Sequence, residues 1–228
     1  MKLDGKKSKT VDDLHPARII RMLNTSRLAR TVVLFDRIDS TNTGAIAAAR
    51  DGALEGTLVT AEEQTSGRGR KKRKWASAAG KSLVFSLVLR PKESCEGLTS
   101  LLALAASRVL DNISGGTGIK WPNDIYIEGR KAGGILAESR GGAVVIGMGL
   151  NVNETGEDLE RELAGEAVSL RIVTGDLVDR GIVLCSIIEV FEELYGRWEI
   201  EGFAVFKKDV EDRLLYMGET VSLESGRE

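Results

Sequence analysis

Histidine and cysteine are almost missing from this sequence. One histidine (His15) and two cysteines (Cys95 and Cys185) occur in 228 residues, with no paired Cys spacing on which a structural metal site is built. The two thiols lie far apart, and with no leader-peptide pattern they are expected to be reduced, in a cytosolic protein. Cys185 falls in the apolar run Ile182-Val183-Leu184-Cys185 and is expected to fill core rather than act as a nucleophile. His15 precedes Pro16 and is expected at the start of a helix. No apolar run is long enough to cross a membrane. Charge of one sign is lacking too. The formal net charge is −2, without the wide positive footprint of a general nucleic-acid binder. There are no repeats or low-complexity tracts, and the second half lacks the strand–helix alternation of a doubly wound nucleotide fold.

What is present suits one domain with a full core, and the pattern predicts α+β with a mostly antiparallel sheet. A short helix is expected over His15 to Leu23 and a strand over Thr31 to Phe35. Asp39-Ser40-Thr41-Asn42 then supplies N-cap residues for an alanine-rich helix to Arg50, stopped at Gly52. A strand over Thr57 to Ala61 follows, and Ser82 to Leu89 is apolar enough for a strand buried on both faces. Leu98 to Leu110 reads as a helix. Glu128-Gly129 and Gly141-Gly142 read as tight turns joining strands. Leu184, Ile187, Ile188, Phe191, Leu194 and Trp198 make one face of a long helix from Asp179. Phe203 to Leu215 is expected as a further helix and Thr220 to Leu223 as a lone strand.

The chain's chemistry concentrates around Gln64 to Trp75. Gly67 and Gly69 alternate with Arg68 and Arg70, and six cationic side chains fall between Arg68 and Lys74. Such a loop repels itself and needs an anion to settle; a solvated basic loop or a nucleic-acid patch is the competing reading. Gly80-Lys81-Ser82 imitates the end of a P-loop, but Trp75 stands where the first glycine belongs, and Ser82 opens a strand. Gly147-Met148-Gly149-Leu150-Asn151 carries two of the three dinucleotide glycines at the end of a strand, which signals close approach to the backbone. A ligand is one candidate for that approach, with Asn151 and Asn153 at its edge. Lys120-Trp121-Pro122-Asn123-Asp124 is a polar turn, either architectural or functional. In Lys131-Ala132-Gly133-Gly134 a strand lysine precedes two glycines, which argues for an anion close to the backbone. Together these pieces suit an acyl-adenylate site, where a carboxylate attacks the α-phosphate of ATP and cations with backbone N–H groups stabilise the charge that develops.

These motifs, in this order, resemble the biotin protein ligase family (biotin–[acetyl-CoA-carboxylase] ligase), short type without an N-terminal DNA-binding domain. The resemblance covers most of residues 31–153, and Ser169-Leu170 and the long helix agree more loosely. It implies a fold like that of class II aminoacyl-tRNA synthetases. It also implies activation of biotin by the magnesium complex of ATP, followed by transfer to one lysine of a biotin carboxyl carrier protein. On this resemblance Ser40, Thr41, Asn42 and Gln64 would bind the biotin ring. Gly67 and Arg68 would contact its carboxylate end, and Lys131, Gly133 and Gly134 would also belong to the biotin site. Arg70 and Lys131 would bind the charge between carboxylate and α-phosphate, Trp75 would cover the nucleotide, and Gly149 and Asn151 would meet its base. Asn123 and Asp124 would organise phosphate, metal or the incoming lysine. No tightly bound metal, nucleic acid or membrane is expected. The implied division is an N-terminal segment over 1–30, a catalytic domain over 31–215, and the start of an SH3-like domain over 216–228. A homodimer through an edge strand around Ala143 to Gly147 is a further implication. Ser77-Ala78 departs from the family's Ser-Pro, which would loosen the loop exit. A lipoate ligase and a non-catalytic biotin or nucleotide sensor are the rival readings.

Overall fold

The structure, a computed structural model, describes residues 13–92, 94–163 and 165–220. In chain order its elements are α1 (Pro16–Met22), β1 (Val32–Ile38), α2 (Thr41–Arg50), β2 (Leu58–Gln64), β3 (Leu83–Leu89), α3 (Leu98–Ser114), β4 (Gly118–Lys120), β5 (Asp124–Ile127), β6 (Arg130–Arg140), β7 (Ala143–Leu150), α4 (Gly156–Leu163), α5 (Leu170–Thr174), α6 (Arg180–Glu201) and α7 (Lys207–Glu211). The strands form one seven-stranded sheet in the order β1-β2-β3-β7-β6-β5-β4. Only the β1–β2 pair is parallel. The expected mostly antiparallel α+β sheet with flanking helices is what forms.

Local sequence explains most boundaries. His15 accepts the Ala17 N–H at Nδ1, and Pro16 opens α1 with its φ already set. Asp179 caps α6 by accepting the Ile182 N–H at 3.0 Å. Glu128 and Gly129 both have positive φ, as do Gly141 and Gly142, which the two tight hairpin turns around β6 require. β3 is buried along its whole length because both faces are covered. One face carries Leu83, Phe85, Leu87 and Leu89 into the main core with α3 and α6. The other carries Val88 beside Val59, Val145 and Ala45 beneath α2. Within α6 the predicted stripe is buried, and Phe191, Tyr195 and Trp198 stack at 5.7 and 5.6 Å between successive rings. Burying each such side chain stabilises the fold by about 1.5–3 kcal/mol. Cys185 lies in this core, and burial pushes its thiol up to about 11, so it is inert filler as expected.

Two expectations change. β7 is hydrogen-bonded to β3 on one side and β6 on the other, so Ala143 to Gly147 is central in the sheet and has no free edge with which to pair a second copy. The helix expected over Phe203 to Leu215 is a 3-10 turn at Phe203–Phe206 and the short α7. After α7 the backbone bonds β4 instead, with Ile119 N–H to Arg213 O at 2.8 Å and Leu215 N–H to Ile119 O at 2.9 Å. Gly118 makes room there, since a side chain at that position would strike Leu215. The strand expected at Thr220 to Leu223 and most of the 216–228 segment lie outside the described residues. Residues 14 to 29 contribute Leu14, Ile19, Leu23, Leu28 and Ala29 to the main core. A buried clamp reinforces that attachment. Arg180, 4% exposed, donates to both oxygens of Asp13, to Glu62 and to the Ser82 carbonyl.

Candidate active site

α2 covers one end of the second sheet face, and the basic loop with Trp75 lies over the rest. The floor beneath them is Ser86 on β3, Gly147 and Gly149 on β7, and Gly134, Leu136 and Glu138 on β6, which share a face by the period of two and the observed register. The glycines are required by what rests on them. A side chain at Gly147 would run into Asn42, and one at Gly149 into the Trp75 indole. At Gly133 it would sit 2.9 Å from the Gly149 carbonyl, and at Gly134 3.2 Å from Asp124 Oδ1 and 3.5 Å from the Trp75 ring. The close approach read from Gly147 and Gly149, for which a ligand was one candidate, is made in this structure by the chain's own Asn42 and Trp75.

The N-terminus of α2 supplies one end wall. Ser40 precedes the helix without a side-chain capping bond, so its hydroxyl is not consumed by the backbone. Gln64 Oε1 accepts the Thr41 N–H at 2.7 Å and faces the Thr41 hydroxyl at 3.1 Å. Gln64 therefore turns its Nε2 donor toward Gly67. Ser86 Oγ joins Thr41 Oγ1 at 2.8 Å to Asn42 Oδ1 at 2.6 Å. Asn42 Nδ2 donates to the Leu136 carbonyl and to Glu138 Oε2. Asn42 is 4% exposed with both ends of its amide engaged, so it braces the wall rather than offering a free group.

The roof is the basic loop, folded as a miniature hairpin. Gly69 N–H bonds Arg73 O at 2.8 Å and Trp75 N–H bonds Gly67 O at 2.9 Å, while Lys71 takes positive φ at the tip. Its first residues are tied down by Thr65 N–H to Ile38 O and Ser66 N–H to Asp39 O, both 2.9 Å. Gly67 has no room for a side chain, which would collide with the Trp75 carbonyl. From this hairpin Arg68 Nη2 reaches Glu138 Oε2 at 2.9 Å, Arg70 Nη1 reaches Asn123 Oδ1 at 3.4 Å, and Trp75 lies flat on Gly149. Lys71, Arg73 and Lys74 are exposed.

The opposite wall comes from the β4–β5 turn and the start of β6. Asn123 is locked to β6 by Nδ2 to Ile135 O and by Ile135 N–H to its own carbonyl, both 2.9 Å. Asp124 Oδ2 pairs with Lys131 Nζ at 2.7 Å, and that ammonium stands 5.9 Å from the Trp75 ring centroid. Arg70 and Lys131 therefore converge through adjacent residues, Asn123 and Asp124. Asn151 is 3% exposed, and its Nδ2 donates to the Val168 carbonyl.

Gly80-Lys81-Ser82 serves the exit of the roof. Lys81 pairs with Asp158 at 2.6 Å and, with the Thr155 N–H, holds that carboxyl down at about 2. Ala78 has the N–H that a proline would lack and donates it to Ser82 Oγ at 2.8 Å, so the exit is pinned where loosening was expected. Ser82 in turn hydrogen-bonds the buried Glu154, whose carboxyl burial pushes above the usual range. Glu138 and Ser86 escaped the sequence reading. A signal existed for each: Ser86 is a lone hydroxyl within an apolar strand, and Glu138 follows Gly134 by four positions, two strand periods.

A glycine-floored sheet face lies under a cationic hairpin, with a lysine–aspartate pair on its far wall. Comparison with known proteins gives the family. The model of the biotin/lipoate A/B protein ligase family matches residues 34–153, and the chain belongs to that family. It is 39% identical over 194 residues to the bifunctional ligase/repressor BirA of Bacillus spizizenii, covering 81% of this chain and 60% of that protein. It is 33% identical over 202 residues to the biotin–[acetyl-CoA-carboxylase] ligase of Paracoccus denitrificans, covering 83% of each. Among solved structures, the biotin protein ligase from Aquifex aeolicus in complex with biotin and ATP superposes with a TM-score of 0.75 at 32% identity. That match covers 83% of this chain and 81% of the Aquifex chain. The chain thus spans about 60% of the Bacillus relative's length, and no described helix is long and apolar enough to cross a membrane.

Proposed function

We propose that this chain is an ATP-dependent biotin protein ligase acting in the cytoplasm. One observation carries the reading: Arg70 and Lys131 converge on Asn123 and Asp124 at one end of the glycine floor, and Arg68, the Thr41 hydroxyl and the Gln64 amide stand at its α2 end. That arrangement suits an uncharged, hydrogen-bonding head group with a carboxylate tail directed at a polyphosphate. Biotin has that form.

In this mechanism Ser40, Thr41 and Gln64 grip the ureido ring, and Gly67 and Arg68 receive the carboxylate. A carboxylate oxygen of biotin attacks the α-phosphorus of ATP, supplied as its magnesium complex. The bond to the leaving pyrophosphate breaks, and biotinyl-5′-AMP remains. Arg70 and Lys131 neutralise charge at the α-phosphate as it develops. Trp75 covers the nucleotide, and its buried Nε1, without a partner among the described residues, suits an acceptor-rich ligand. Asn123 and Asp124 hold Arg70 and Lys131 in register. The neutral amine of an acceptor lysine on a biotin carboxyl carrier protein then attacks the acyl carbon, forming the amide and releasing AMP. The closed hairpin keeps water from the mixed anhydride meanwhile. The test is purified protein with biotin, magnesium, ATP and a carrier domain. Biotin-dependent pyrophosphate release and a labelled carrier are expected, and the absence of both refutes the proposal.

A further inference from the structure

We propose that Glu138 is a positioning residue for the flap: it holds Arg68 in the ligand-free chain and yields it to the carboxylate of the incoming acid. The proposal rests on the biotin ligase reading above and assigns a role to a side chain that reading does not use.

The flap carries like charges that repel one another, and it closes only against an anion. Among the described residues, Glu138 is the carboxylate with which the flap's cations pair. It stands on β6 on the groove face, opposite Val145 and two positions beyond Leu136. Oε2 accepts from Arg68 Nη2 and from Asn42 Nδ2, each at 2.9 Å. These two partners differ in kind. The Arg68 side chain is 41% exposed, which makes its ion pair easy to exchange. Asn42 is 4% exposed and held by Ser86 and Leu136, so it stays when Arg68 leaves. Glu138 therefore keeps a hydrogen bond throughout the exchange, and no buried charge is stranded.

The charge balance of the reaction then gives Glu138 a second use. Arg68 meets a full negative charge while the substrate is an acid. When a carboxylate oxygen becomes the bridging oxygen of the mixed anhydride, the acyl end loses that charge. Arg68 returns to Glu138, and the flap stays closed over an intermediate that no longer attracts it.

The test compares biotin with biotinol, whose terminal hydroxymethyl replaces the carboxylate while the ring is unchanged. Effects on the ring site cancel in the ratio of the two dissociation constants. In Glu138→Gln the preference for biotin over biotinol should rise by about threefold, because the competing anion is gone. Trypsin should cut the ligand-free flap of this variant about fivefold faster than wild type, and saturating biotin should bring the two rates together. A brace with no part in the exchange would move both ligands equally and leave the ratio unchanged. A ratio that is unchanged or lower, or flap cleavage that matches wild type without ligand, overturns the proposal. Where Glu138→Gln does not fold, Glu138→Asp, which withdraws the carboxylate by one methylene, carries the same measurement. Wild-type protein that binds neither ligand overturns the biotin ligase reading itself; binding of biotin with an unmoved ratio overturns only the role of Glu138.

Discussion

Lys131→Met is expected to slow adenylate formation by about a hundredfold to a thousandfold. The Lys131 ammonium lies 2.7 Å from Asp124, and the two side chains are 30% and 23% exposed. Unit charges 4 Å apart near a protein surface interact by about 4 kcal/mol. Solvent screening at this exposure roughly halves that, leaving about 2 kcal/mol for the lost attraction to the α-phosphate. The substitution also uncovers the Asp124 carboxylate, which then repels the same phosphate from about 6 Å by roughly 1–2 kcal/mol. The sum is about 3–4 kcal/mol. Adding Asp124→Asn removes the repulsive part, so the double variant should recover about tenfold over Lys131→Met alone. Biotin-dependent exchange of labelled pyrophosphate into ATP measures this step without a carrier protein. A single variant within threefold of wild type, or a double variant no faster than the single, would refute the reasoning.

Further expectations concern the scaffold. Asp13→Ala leaves the buried Arg180 guanidinium with Glu62 at 2.9 Å and the Ser82 carbonyl. The cost should be about 3 kcal/mol, seen as a fall in Tm of about 6–12 °C; a fall under 2 °C would show the clamp to be dispensable. Gly149→Ala places a methyl where the Trp75 indole lies. It should weaken ATP binding at least tenfold while biotin binding changes little, which titration calorimetry with each ligand checks. Glu154, whose folded pKa is raised chiefly by burial, binds its proton more tightly folded than unfolded. Its contribution is fully present below the unfolded carboxylate range and is lost as pH rises through the raised value. The Tm of wild type minus that of Glu154→Gln should therefore fall as pH rises from acid to neutral, and a difference that rises would contradict the assignment.

Much of the site was legible because its chemistry is written in short stretches. Gly67 and Gly69 marked the hairpin, Lys131 with Gly133 and Gly134 marked the strand whose lysine meets the Asp124 carboxylate, and Asn123-Asp124 marked the turn. The convergence of Arg70 and Lys131 followed the expectation. The bond that Asn151 donates to Val168, 17 positions along the chain, was not legible in the sequence. Asn42 sits at the expected helix start, yet its role as a brace depends on Ser86 and Glu138, 44 and 96 positions away. The tail beyond α7 misled for a similar reason: its backbone pairs with β4 at Ile119, about 95 positions away, which no local pattern signals.

By itself the sequence determined what local rules control: the α6 stripe, the two positive-φ hairpin turns, the capping of α1 and α6, and a strand too apolar to face water. Only the tertiary structure decided what rests on the glycines, which strand lies at the sheet's centre, and which anion meets Arg68. Backbone torsions and hydrophobic period depend on residues within a turn or two of one another. Sheet order and the filling of a groove depend on side chains brought together from opposite ends of the chain, and no short stretch of residues encodes those meetings.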